Sequence, residues 1–290
     1  MENYTGWRPQ DEEADFADYS ELCRGNILEW KDIETQIVRE AKNPFMTAIT
    51  PAVAELHLLR KSSYREYFFG RQETNDCTSW GTANGIDLTQ VGQAFRGIET
   101  EVFRTYKPWI YGVAKCLAGQ HSDNGMSISL AMKHITQYGV LPEDLSGLPR
   151  YSGALQKQLL RTGRDFFNQW KDKAVHYEID VVRLPLDFDA WYLFAASGRN
   201  IVYGTRQRLA NKGFEWQLAG STNHCMTAGF PVRNTDGAIS NTNSWNDGTG
   251  FMTPSVAKQV IAKSHLYGAF GIYQIARRNS KPDYSGLGMN

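Results

Sequence analysis

The spacing of apolar residues changes along the chain, and that change constrains the fold more than any other feature. In the first two thirds the apolar positions recur at helical spacing. Trp80, Ala83, Leu88, Val91 and Phe95 predict a helix of four or five turns that opens at Cys77. Ile128, Ala131, Met132, Ile135 and Tyr138 predict a second over 127–138, stopped by Gly139 and Pro142. Others are expected over 154–173 and 189–197, the latter ended by Gly198, and earlier over 21–42 (on Leu22, Ile27, Trp30, Ile33 and Ile37, stopped by Asn43-Pro44) and 52–61. Beyond residue 200 the pattern becomes strand-like. Segments 200–203, 224–232, 238–243 and 268–275 are rich in aromatic and β-branched residues, with Asp236-Gly237 as a hairpin turn between two of them. Helices followed by antiparallel strands predict an α+β protein rather than a βαβ array. Gly81 and Gly85 would weaken an exposed helix, so they predict one buried against another backbone.

Composition narrows the function classes. Hydrophobic residues at 41% against 21% charged describe a globular chain, and 31 Lys plus Arg balance 31 Asp plus Glu, so no basic field points to nucleic acid. No window approaches the roughly 18 apolar residues of a membrane span, and the opening residues lack a signal-peptide pattern. The cysteines Cys23, Cys77, Cys116 and Cys225 are too sparse for a disulfide framework, which predicts a reducing compartment. No P-loop, dinucleotide fingerprint, HExxH or paired CxxC occurs, so neither a cofactor nor a metal is expected. Asp11, Glu12, Glu13, Asp15 and Asp18 make residues 1–65 differ from the rest. They are expected to form an arm of acidic stretch plus helices, lying on the surface or against a protein partner, ahead of a main domain over 66–290.

Three features carry chemistry: a cysteine at a helix start, a histidine opening a strand, and an Asn-Ser-Trp after the next hairpin. A nucleophilic thiol must ionise, which a helix N-terminus and a neighbouring imidazolium both favour. It also needs a base, oriented in turn by a third group. Taken singly, Cys77 reads as a small buried hydrophobe, His224 as a structural histidine, Asn243 as a turn residue, and Trp245 and Trp80 as core tryptophans. Strand alternation sends Cys225 to the core while His224 faces a cleft. Asp76 would raise the pKa of an adjacent thiol, unless its side chain caps the helix.

Taken together, these segments resemble the papain-like cysteine peptidases over about residues 67–275. Arg71-Gln72-Glu73-Thr74-Asn75-Asp76-Cys77-Thr78-Ser79-Trp80 resembles the nucleophile segment, Asp123-Asn124-Gly125 the glycine loop of the substrate cleft, Asn223-His224-Cys225 the histidine strand, and Asn243-Ser244-Trp245 the orienting segment. The resemblance implies a two-lobed fold, with a helical lobe around a central helix and an antiparallel β lobe. It also implies a thiol hydrolase cleaving amide bonds in a peptide or protein substrate, with Cys77 as nucleophile, His224 as base, Asn243 as its orienter and Gln72 in the oxyanion hole. Trp245, Trp80 and Asp76 are supporting residues by the same resemblance. One spacing departs: Gln72 lies five residues before Cys77, where the family has about six, so an alternative register brings Thr78 or Ser79 to the nucleophile position. An inactive module in a larger assembly and an acyl transferase with the same dyad therefore stay open. The missing paired cysteines resemble intracellular or viral-type members, implying a cytoplasmic or virion-associated location.

Overall fold

The structure, a computed structural model, describes residues 6–22, 27–42, 72–98, 102–232, 237–244 and 249–277. It has an α+β architecture. Helices α1 (Glu12–Leu22) and α2 (Trp30–Ala41) flank the short strand β1 (Ile27–Glu29). Helix α3 (Cys77–Phe95) follows, then α4, which begins with a π-helical turn (Trp109–Val113) and continues through Ala114–Leu117, then α5 (Ile128–Tyr138) and α6 (Gly153–Ala174). Strand β2 (Tyr177–Arg183) and helix α7 (Phe188–Ala196) lead into β3 (Asn200–Lys212), β4 (Glu215–Pro231), β5 (Ile239–Thr242), β6 (Thr249–Met252), helix α8 (Pro254–Ile261) and β7 (Ser264–Arg277). The strands form one sheet in the order β1-β2-β7-β3-β4-β5-β6. Between strands adjacent in this order only β1 with β2 is parallel, and β4 also meets β6 in a parallel bridge.

Helix α3 is buried from Cys77 through Gln93, and its glycines explain how. A methyl at Gly81 would come within 2.7 Å of the Cys225 sulfur, and one at Gly85 within 2.7 Å of Val202. The helix therefore lies directly on β3 and β4, as its glycines predict. Three of its long polar side chains bond groups outside the helix. Asp87 accepts from the Thr105 amide and hydroxyl, while Gln90 and Gln93 each bond both backbone groups of one residue, Phe103 and Ile275 respectively. On the helical side, Trp109, Val113, Leu159 and Trp170 form a separate apolar cluster that joins α4 to α6.

The helix expected over 21–42 is divided. Gly25 and Asn26 are poor helix formers, and Ile27–Glu29 pairs instead with Val181–Arg183. Glu12, Glu13 and Asp15 of the acidic run fall on the first turn of α1, where carboxylates suit the positive end of the helix dipole. The arm also goes beyond a surface coat: Trp7 belongs to the apolar cluster of Ile86, Met132 and Phe270, and Ile33 and Ile37 to that of Trp191 and Phe194. Apolar area removed from water on both sides of the sheet explains this placement. The helix expected over 52–61, Cys23 and Asp236 lie outside the described residues.

Strand β2, helix α8 and the outer halves of β3 and β4 have no counterpart in the periodicity. The last is a hairpin that leaves residues 218–221 exposed, so no apolar alternation marks it. Its two-residue turn, Gly213-Phe214, has both residues at positive φ, which suits the twist of paired strands.

Because Ile37 is fully buried in an arm helix, Ile37→Ala is expected to cost about 2–5 kcal/mol, read as a lowered denaturation midpoint. A change below about 0.5 kcal/mol would show that α2 is a dispensable coat.

Candidate active site

Cys77 is the first residue of α3, where unpaired amide groups carry the positive end of the helix dipole. The Asp76 carbonyl, rather than its carboxylate, serves the helix end: it accepts from the amides of Ser79 and Trp80 and from the Ser79 hydroxyl. The Asp76 carboxylate turns instead to Gln156 (2.8 Å) and Tyr151 (3.0 Å), so the expected side-chain cap is replaced by a tie to the start of α6. Burial pushes its pKa up to about 7. Of the residues that the alternative register names, the Thr78 hydroxyl donates to the Met126 carbonyl at 2.9 Å and that of Ser79 to the Asp76 carbonyl.

The Cys77 thiol is fully buried. Burial pushes its pKa up to about 12, opposed by backbone hydrogen bonds from Cys225 and Gly6 and reinforced by the nearby Asp76 carboxylate. Cys225 follows His224 on β4, so the thiol lies beside the strand that carries the histidine. The Cys225 sulfur itself packs against Gly81 in the core, on the side that strand alternation assigns it.

His224, Asn243, Ser244 and Gln72 form one hydrogen-bonded chain. His224 Nε2 lies 2.6 Å from Asn243 Oδ1, which also accepts the Ser244 amide at 2.7 Å. The Ser244 hydroxyl donates to Gln72 Oε1 at 2.6 Å, and the Gln72 amide donates to the Ser244 carbonyl at 3.1 Å. Gln72 Nε2 donates to the Thr74 carbonyl. An amide oxygen only accepts, so this contact puts the imidazole proton on Nε2 and makes Nδ1 the basic nitrogen. Burial lowers the His224 pKa to about 4, partly offset by Asn243. Thiol and imidazole are thus both neutral at pH 7 in this form.

The loop Asp123-Asn124-Gly125 reaches the same region from the helical side. Asp123 receives the Asn75 amide at 3.3 Å through its carboxylate and the Asn75 side chain at 2.9 Å through its carbonyl. Gly125, at φ +90°, donates its amide to the Tyr111 hydroxyl, which in turn donates to Asp123. Lys115 donates to the Gly125 carbonyl and to Asn124 Oδ1. Burial lowers the Lys115 pKa to about 8. Tyr111 and Lys115 were not singled out from sequence, although their four-residue spacing on a helix was the available signal.

Residues 6–8 run across this loop and the thiol. The Met126 amide donates to the Gly6 carbonyl at 2.6 Å and the Arg8 amide to the Met126 carbonyl at 3.3 Å, a parallel pairing centred on Trp7. Gly6 lies so close that a methyl there would overlap the Asn75 carbonyl, and one at Gly125 would overlap the Gly6 carbonyl. Trp7 is 2% exposed, and its indole N–H donates to Glu12 at 2.7 Å. Nothing in the sequence marked Gly6 or Trp7, because backbone pairing leaves no side-chain pattern, and Glu12 was visible only as one member of the acidic run.

Of the supporting residues, Trp80 turns toward Tyr151 (N–H to hydroxyl 3.3 Å) and lies under Lys107, making it a packing residue of the helical side. Trp245 lies outside the described residues. Among the described residues no cluster of three His, Cys, Asp or Glu is arranged to hold a metal, and no helix is long and apolar enough to cross a membrane.

No protein-family model matches the chain, and no curated protein sequence does. Among solved structures it is similar to xylellain, a cysteine protease from Xylella fastidiosa, at 16% identity and a TM-score of 0.54, over 74% of this chain and 84% of that one. It is also similar to procathepsin L 3 of Tenebrio molitor larval midgut (11%, TM-score 0.41, 92% and 90%). A third likeness is to proCathepsin B S9 from Trypanosoma congolense (11%, TM-score 0.43, 79% and 76%). The first of these shows a papain-like fold.

An acid whose folded pKa is raised ionises only as pH climbs toward that value, so Cys77 alkylation by iodoacetamide should rise about tenfold per pH unit between pH 7 and 10. Gly6→Leu, which collides with the Asn75 carbonyl, should lift the segment and speed alkylation at pH 7 by more than about tenfold, as followed by mass spectrometry. An unchanged rate would show that the segment does not control access.

Proposed function

We propose that this papain-like chain is a thiol peptidase held latent by its own residues 6–8. The supporting observation is the chain of hydrogen bonds from His224 through Asn243 and Ser244 to Gln72, beside a helix that opens on Cys77. With residues 6–8 displaced, the desolvation that keeps the thiol and imidazole neutral falls, and the proton moves from Cys77 to His224 Nδ1. The thiolate attacks the peptide carbonyl, and the Cys77 amide and the Gln72 side chain stabilise the oxyanion. His224 then protonates the leaving amine as the C–N bond breaks. Water attacks the thioester, losing its proton to His224 and releasing the carboxylic acid and the Cys77 thiol.

The full burial of Cys77 favours a second reading, a non-catalytic papain-like module that engages a protein partner through its arm. The two differ in one measurement. In a Gly6→Leu background, peptide turnover should appear, Gln72→Ala should reduce kcat about 10²–10³-fold, and Cys77→Ser should remove activity with the fold unchanged by circular dichroism. No turnover of any member of a peptide library, in a variant whose Cys77 alkylates readily, would favour the module.

A further inference from the structure

Trp7 does more than hold the segment down. Its indole lies on two glycines of the sheet: a methyl at Gly204 would overlap the ring, and one at Gly268 would come within 3.3 Å of Cζ2. Gly204 sits inside β3 opposite Cys225, where a side chain would normally fill the space. The absent side chains leave room for the indole, one residue along from the Gly6 that lies against Cys77, and Glu12 receives its N–H. The Glu12 carboxylate accepts from the Ile128 amide (2.7 Å), the Ser129 amide (2.9 Å), the Ser129 hydroxyl (2.7 Å) and the Trp7 indole (2.7 Å). Three of these four donors belong to α5. Helix α1 is further fixed by Phe16 stacked on Tyr267 and by Asp15 bonded to Ser127. Glu12 therefore stays in place when residues 6–8 leave, and what leaves is the donor of its fourth hydrogen bond.

We propose that the slot filled by this indole is the specificity pocket of the cleft and selects a tryptophan side chain of the substrate, one residue from the position over the Cys77 thiol, with Glu12 accepting its indole N–H. This rests on reading the cleft as a substrate cleft. Trp7 occupies the slot from a backbone paired with Met126, next to Gly6 over the thiol, and an incoming peptide can use the same Met126 groups. Phenylalanine fills less of the slot and leaves Glu12 one donor short in a buried site, a penalty that a pocket built around a hydrogen bond imposes on analogues lacking it. Glu12 and Gly204 are thus specificity-determining residues, one by its acceptor and the other by its missing side chain.

The test is calorimetric titration of the full-length Trp7→Ala and Gly6→Leu variants with N-acetyltryptophanamide, its 1-methylindole derivative and N-acetylphenylalaninamide. The tryptophan amide should bind roughly 10–100-fold tighter than either of the others, the margin of leaving one acceptor unpaired in a buried site. Equal binding of the three, or no binding to a variant that circular dichroism shows folded, overturns the proposal. If neither variant folds, the same amides at millimolar concentration decide the matter on the unaltered protein. The tryptophan amide alone should accelerate Cys77 alkylation by displacing Trp7, and equal acceleration by all three overturns the proposal. Binding is read without turnover. Selective binding in a protein that cleaves no peptide keeps the pocket and removes the peptidase reading, whereas cleavage with no preference for tryptophan removes the pocket alone.

Discussion

The contact on which the structure depends is the one between α3 and the sheet. A helix buried along this much of its length has to satisfy its own polar side chains and let another backbone approach closely. Gly81 and Gly85 provide the approach, and Asp87, Gln90 and Gln93 provide the satisfaction by gripping backbone groups of Thr105, Phe103 and Ile275. With the helix seated this way, its first residue comes to lie under the Cys225 amide. A thiol at a helix start is thereby set against the strand that carries the histidine, through packing of Gly81 and Gly85 further along the helix.

The same seating brings two opposing requirements together. A nucleophilic thiol needs an environment that favours charge, whereas a thiol under a packed segment sits in one that forbids it. Burial dominates here, and it dominates at His224 as well, so the two groups are held in their neutral forms by one cause. Gly6 lies against Cys77, held there by the main-chain pairing of residues 6–8 with Met126 and by the Trp7 indole bonded to Glu12.

The loop 123–125 shows how positioning and pairing are divided. Its glycine allows the close approach, while Tyr111 and Lys115 on α4 hold both of its backbone groups from behind. The Asp76 carboxylate is committed in a similar way, to Gln156 and Tyr151, and its charge near the thiol is a consequence of bracing α6.

What the sequence determined by itself is what repeats locally. The helical spacing from Trp80 onward located the start of α3 at Cys77, and the change to strand-like segments after residue 200 announced the sheet that carries His224 and Asn243. Motif order alone linked these with Gln72 and the glycine loop. Tertiary structure decided the remainder. Strand β1 interrupts an apparently continuous helix because its partner lies more than 150 residues away, and the β3–β4 tips were invisible because exposed strands have no apolar alternation. The bond from Ser244 to Gln72 spans 172 residues of sequence, and that from Glu12 to Ser129 spans 117. The pairing of Gly6 with Met126 uses main-chain atoms that every residue shares. Periodicity records which face of an element is buried, and it holds no record of which distant backbone lies against that face.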